Sequence, residues 1–140
     1  MKRNVMKAVG GVVLALFFLV CLFVPPGVAA PKAADNGDLK RLVANLHWLG
    51  HDAFRIDADG LVIYIDPFLL KTGGPKADLI LITHEHMDHN NPGDVAKIKK
   101  DDTIIVTAAR GAEKLSGDIQ IIKPGEDMTV RGIPIRAVPA

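Results

Sequence analysis

The sequence predicts a layered α/β fold, from three features. The run Leu79-Ile80-Leu81-Ile82 is apolar at four successive positions, which a strand tolerates only when both faces of its sheet are covered. Short apolar or alternating segments separated by Gly, Pro and Asp surround it, which is the spacing of strands. Beyond it, Asn91-Pro92 followed by Asp94 carries the signals of a helix start. With 140 residues, 49% of them hydrophobic, 24% charged and 5% aromatic, the chain has room for one globular domain at most. The apolar content excludes a disordered tail, and 17 basic against 16 acidic side chains exclude a nucleic-acid footprint built on excess positive charge.

Residues 1–30 hold no acid and place Lys2, Arg3 and Lys7 ahead of an apolar stretch, residues 8–24. That is the pattern of an export signal, with Pro25, Pro26 and Gly27 breaking its helix and Val28-Ala29-Ala30 offering small side chains for cleavage after Ala30. The expected location is exported, periplasmic or secreted, with membrane anchoring as the alternative if the segment stays attached. Bulky Phe18-Leu19-Val20 ahead of Cys21 argue against a lipoprotein signal. Cleavage leaves 14 basic and 16 acidic groups, a charge of −2, and no cysteine, so any metal site must use His, Asp and Glu.

Residues 31–41 read as a polar linker and residues 42–140 as the domain. Strands are expected at 42–49, 53–57 and 61–65, the last two joined by the hairpin turn Asp59-Gly60. A loop at 67–76 holds Gly73-Gly74-Pro75 and leads to the strand 79–82. A brief helix follows Asn91, its C-terminal end complemented by Lys97, Lys99 and Lys100. Further elements are expected as a strand at 103–107, a short helix at 108–115, and strands at 119–122, 128–130 and 133–138.

The chemistry is concentrated in Thr83-His84-Glu85-His86-Met87-Asp88-His89-Asn90, directly after the buried strand. His84 and His86 project the same way, because extended side chains repeat every two residues, and so can share one metal ion. Asp88 and His89, on the following turn, are placed to reach a second ion, about 3.5 to 4 Å away in typical two-metal sites. Carboxylate oxygen mixed with imidazole nitrogen suits zinc, and also iron or manganese. A zincin helix is excluded because Asp88 stands where the second histidine of His-Glu-x-x-His is needed, and a zinc deaminase because its cysteine pair is missing. Glu85 and Met87 interleave the ligands and are expected to point away.

The segment His84-Glu85-His86-Met87-Asp88-His89 resembles the His-x-His-x-Asp-His signature of the metallo-β-lactamase fold hydrolases. The flanks His47-Trp48-Leu49-Gly50-His51, Ala53-Phe54-Arg55-Ile56 and Ile63-Tyr64-Ile65-Asp66-Pro67-Phe68 resemble the opening of a subgroup related to L-ascorbate-6-phosphate lactonase and N-acyl-phosphatidylethanolamine phospholipase D. The resemblance implies a four-layer αββα sandwich of which this chain supplies the N-terminal half. It implies His84 and His86 as ligands of a first metal, Asp88 and His89 as ligands of a second, and Asp66 as an aspartate supporting them from behind. A third histidine, a bridging aspartate and a last histidine have no counterpart among these residues, so a truncated gene or a fragment is expected. The implied activity is hydrolysis of an ester, lactone or phosphodiester small molecule by a metal-activated hydroxide, with Asp88 holding the nucleophile and passing its proton to the leaving group.

His51, at a strand-to-strand bend, is either a pocket-lining polar group or a structural hydrogen bonder. His47, beside Trp48, reads as packing, and Asp66 before Pro67 either caps a turn or orients a metal-bound histidine. Expected partners are a small-molecule substrate and no nucleic acid, with membrane contact only through the signal segment. The alternatives are a non-catalytic metal-binding domain, an inactive fragment, or self-association of two half-sandwiches through their open sheet faces.

Overall fold

The computed structural model describes residues 36–139. The expected export segment, its cleavage point and Cys21 lie outside those residues. Within them the elements run α1 (Asn36–Asn45), β1 (Leu46–Gly50), β2 (Ala53–Ala58), β3 (Leu61–Ile65), β4 (Leu79–Ile82), α2 (Pro92–Ile98), β5 (Ile104–Thr107), α3 (Ala109–Ala112), β6 (Asp118–Ile121), β7 (Asp127–Val130) and β8 (Ile133–Arg136). Strands β1 to β6 form one mixed sheet in sequence order, antiparallel from β1 to β3 and parallel from β3 to β6, while β7 and β8 pair as a separate hairpin. This mixed α/β arrangement fits the metallo-β-lactamase fold. No helix among the described residues is long and apolar enough to cross a membrane.

The β2–β3 hairpin forms as its sequence requires. Ala58 pairs with Leu61, and Asp59 and Gly60 both take positive φ, 51° and 78°, as a two-residue turn of this hand demands. Strand β4 is buried on both faces, which accounts for its unbroken apolar run. Ile80 and Ile82 face a layer built from Val95 and Ile98 of α2, Leu70 and Ala77. Leu79 and Leu81 face the opposite way with Ile63, Ile104 and Val106, and the β7–β8 hairpin covers that side with Met128, Val130, Ile133 and Ile135. Fully burying each such side chain contributes about 1.5–3 kcal/mol. Three layers result: helix, mixed sheet and hairpin.

Two expectations are corrected at the start of the domain. Residues 42–45 are helical instead of extended, and the helix already begins at Asn36, inside the expected linker. Leu39-Lys40-Arg41-Leu42 are good helix formers and Val43 is the sole β-branched residue of the segment, so the strand starts only at Leu46. Smaller shifts occur elsewhere. The helix at 108–115 shortens to Ala109–Ala112, β6 lies one residue early, and β8 ends at Arg136. Thr103 is left out of β5 because its hydroxyl donates to Ala77 O (2.7 Å) and accepts from Lys100 N–H (2.9 Å), turning the chain there.

Asp78 ties three parallel strands at their entry. Its carboxylate accepts Val62 N–H (2.8 Å) and Lys100 Nζ (2.5 Å), its N–H donates to Val62 O, and its carbonyl accepts Ile104 N–H. Lys100 first, and then the Val62 N–H, hold this carboxyl below the usual carboxylate range. Asp78→Ala is therefore expected to cost about 1–3 kcal/mol in urea unfolding near neutral pH, since the Val62 N–H loses its partner. A carboxyl whose folded pKa is depressed adds stability that is fully present above its unfolded value and is lost as pH falls through the folded one. The gap between wild type and variant should hold down to the ordinary carboxylate range and close below it. A gap independent of pH through that range would show that the charge on Asp78 is not what stabilises.

Candidate metal centre

The ligand-rich loop leaves the C-terminal end of β4, and its first anchor comes from the neighbouring strand. Asp66 follows β3, and its N–H donates to Leu81 O (3.0 Å), which holds it beside the end of β4. Its side chain is only 5% exposed and points into the loop. Oδ1 accepts Thr83 N–H (2.8 Å), and Oδ2 accepts both the Thr83 hydroxyl (2.7 Å) and His89 Nδ1 (2.9 Å). The backbone of Asp66 sits at φ 44°, a left-handed conformation that a non-glycine residue holds at some cost.

These bonds fix two imidazoles. Because the Thr83 hydroxyl gives its proton to Asp66, its oxygen accepts from His84 Nδ1 (2.9 Å), leaving a lone pair on His84 Nε2. That Nε2 stands 3.1 Å from His86 Nδ1. Likewise His89 Nδ1 donates to Asp66, so its Nε2 carries a lone pair. The ring centroids of His84 lie 4.7 Å from His86 and 4.0 Å from His89. The turn is closed by His89 N–H and Asn90 N–H, both donating to His86 O (3.0 and 2.7 Å). Fully buried Asn90 donates its side-chain amide to Gly111 O (2.8 Å), pinning the loop to α3. Glycine is required at that contact, because a Cβ on residue 111 would stand 2.1 Å from the Thr107 hydroxyl oxygen.

A second side of the centre comes from the β1–β2 turn. His51, at φ 50°, is held by Trp48 Nε1 donating to its carbonyl (2.8 Å), and its ring packs edge-on against Phe68 at 5.4 Å. Phe68 belongs to the 67–76 loop, which Asp94 of α2 fixes by accepting the N–H groups of Leu69 and Leu70 (2.8 and 3.0 Å). The His51 ring is 5.8 Å from that of His89. Asp88 Oδ2 lies 3.6 Å from His51 Nε2 and 3.9 Å from His89 Nε2. Asp52 Oδ2 lies 3.0 Å from His51 Nδ1 and 3.7 Å from His89 Nε2.

The fold thus brings His84, His86 and His89 into one cluster, with Asp88 and His51 on the flank of His89 and Asp66 behind His84 and His89. His51, Asp52 and His89 form a group whose ligand atoms all lie within 4.8 Å of one another. Imidazole nitrogens and carboxylate oxygens gathered in one place are a donor set that fits a divalent cation such as zinc. Glu85 turns away to Arg110 (3.3 Å), its carboxyl held below the usual range by its own backbone N–H and then by Arg110, and Met87 is exposed. His47 stands apart, 2.9 Å from Asp57. Sequence reasoning missed Thr83 and Asp52. The signal for Thr83 was a hydroxyl next to a ligand histidine, and for Asp52 a carboxylate adjoining His51 in a turn.

Residues 45–140 match the model of the β-lactamase superfamily domain. A UPF0173 metal-dependent hydrolase of Methanopyrus kandleri is 36% identical over 107 residues, covering 66% of this chain and 45% of that protein. One from Polynucleobacter asymbioticus is 35% identical over 114 residues, covering 69% of this chain and 37% of the relative. Among solved structures, a proposed metal-dependent hydrolase from Parabacteroides distasonis superposes with a TM-score of 0.63 at 35% identity, covering 68% of this chain and 44% of that one. The chain spans less than half the length of these relatives.

Asp66→Asn keeps the size of the side chain but cannot accept at every position the carboxylate serves. Calorimetric titration with Zn2+ is expected to show affinity reduced by about 10–100-fold, as for other groups that orient metal-bound histidines. In 15N spectra His89 should lose its single Nδ1–H tautomer. Unchanged affinity with an unchanged tautomer would mean that Asp66 does not orient the ring.

Proposed function

The chain belongs to the β-lactamase superfamily domain family, and on that premise we propose that it is an exported metal-dependent hydrolase with a dinuclear site, for which zinc suits the donor set best. The observation that carries this reading is the buried Asp66 carboxylate. Directly at His89 and through Thr83 at His84, it sets the Nε2 lone pairs of both rings in one cluster, that of His84 facing His86 Nδ1 at 3.1 Å. Export rests on the basic and apolar pattern of residues 1–30.

His84 and His86 would hold one ion, and Asp88 and His89 the other. Bound there, the metal supplies a lowered water pKa and a polarised carbonyl or phosphoryl oxygen. The chain's own groups do the rest. Asp66 and Thr83 keep His84 and His89 in the tautomer that presents Nε2. The side chain of Asp88 is 45% exposed, so a water on the substrate side reaches its carboxylate, which accepts a proton and returns it to the leaving group. Buried Asn90 and Asp94 hold the loop and its neighbour still while substrate binds. No serine or cysteine nucleophile enters the scheme. An ester, a lactone or a phosphodiester of small size fits a reaction of this kind, and His86, His51 and Asp52 are exposed beside the cluster.

Elemental analysis of the purified chain, together with hydrolysis assays on ester, lactone and phosphodiester substrates, tests the proposal. About two ions per chain are expected in wild type, with metal and hydrolysis both lost in the double variant His84→Ala, His86→Ala. Asp88→Asn should lower turnover by about 10²–10⁴-fold. A chain that takes up no divalent ion, or hydrolysis that survives the double variant, would sink the reading.

A further inference from the structure

We propose that Asp52, in the turn between β1 and β2, is a ligand of the ion that Asp88 and His89 hold, supplying a carboxylate from this chain's own first hairpin. The proposal rests on the metal reading above and assigns a further donor to it.

The argument starts from protons. His89 Nδ1 is committed to Asp66, so its Nε2 presents a lone pair. Facing that lone pair are two carboxylate oxygens, Asp52 Oδ2 at 3.7 Å and Asp88 Oδ2 at 3.9 Å. His51 lies beside the same groups. Its Nδ1 is 3.0 Å from Asp52 Oδ2 and its Nε2 is 3.6 Å from Asp88 Oδ2. His51, Asp52 and His89 thus offer ligand atoms that all lie within 4.8 Å of one another, with the Asp88 carboxylate beside both rings. Carboxylates gathered against imidazole nitrogens in this way favour a cation among them.

Spacing favours a metal ion as that cation. Donors at 2.0–2.2 Å from one zinc in a tetrahedron stand about 3.3–3.6 Å apart, and Asp52 Oδ2 and His89 Nε2, 3.7 Å apart, come close to that spacing. Position favours it too. Trp48 Nε1 pins the carbonyl of His51, the edge contact between His51 and Phe68 backs the ring, and that ring meets His89 at 5.8 Å, which sets the turn that carries Asp52 beside His89. Asp52 itself is exposed, and among the described residues its carboxylate pairs only with the His51 and His89 rings.

The test uses the full chain in mild detergent, titrated with Co2+ and followed by calorimetry and by the visible spectrum of the bound ion. Asp52→Asn is expected to weaken one of two binding events by about 10-fold or more and to change the spectrum. The event abolished in the double variant His84→Ala, His86→Ala should remain, and Asp52→Glu should recover part of the loss. Since Asp52 is exposed, the thermal unfolding of Asp52→Asn should match wild type. If Asp52→Asn titrates like wild type while His89→Ala loses an ion, the assignment of Asp52 falls and the metal centre stands. If wild type binds no ion and 15N spectra show a His89 imidazolium, a proton is the cation, and both the assignment and the centre fall.

Discussion

One buried carboxylate organises the candidate centre. Asp66 has left water almost completely, at a cost of several kcal/mol for an isolated charge, and three donors offset that cost: Thr83 N–H, the Thr83 hydroxyl and His89 Nδ1. Each of these bonds has a second consequence. The first fixes where the chain leaves β4, the second passes through the hydroxyl to set the tautomer of His84, and the third sets that of His89. The left-handed backbone of Asp66 belongs to the same arrangement, because the main chain must turn abruptly after β3 for the carboxylate to face β4.

Around that carboxylate the helix side of the sheet does the holding. Asp94, buried in α2, gathers Leu69, Leu70 and Lys97, and so fixes the loop whose Phe68 supports His51. Asn90 fastens the other end of the ligand loop to α3. These contacts run between side chains and backbone groups with few rotatable bonds between them. A ligand loop built this way reaches its geometry before any ion arrives, so little ordering remains to oppose binding.

Much of this was legible in the sequence, for physical reasons that vary by element. The apolar run of β4 and the Asp59-Gly60 turn were readable because burial on two faces and positive φ each admit few residue types. The start of α2 was readable because Asn91, Pro92 and Asp94 are local signals, and the Asn91 side chain does accept the N–H of Asp94. Helix α1 was not, since Leu42, Val43 and Leu46 suit alternation and helical spacing alike over so short a stretch. The clustering of His84, His86 and His89 follows from their spacing. What spacing could not convey is the approach of His51 and Asp52, which are more than 30 positions away in the sequence and reach His89 only through the turn of the sheet.

The two faces of β4 consequently have different tasks. Ile80 and Ile82 belong to the helix-side layer that fixes the loop, whereas Leu81 faces the hairpin side. There it lines an apolar cleft of about 390 Å³ with Val106, Ile122, Ile135 and Ala137, and Thr83 stands at the cleft's edge beside the ligand loop. A side chain changed in β8 alters that apolar wall without touching any hydrogen bond that orients a histidine. A change at Asp94 in α2 loosens the 67–76 loop behind His51 and leaves that wall untouched. Ligand geometry and the shape of the neighbouring apolar surface are thus separable in this fold, because β4 is a thin, doubly covered strand whose alternate residues answer to different layers.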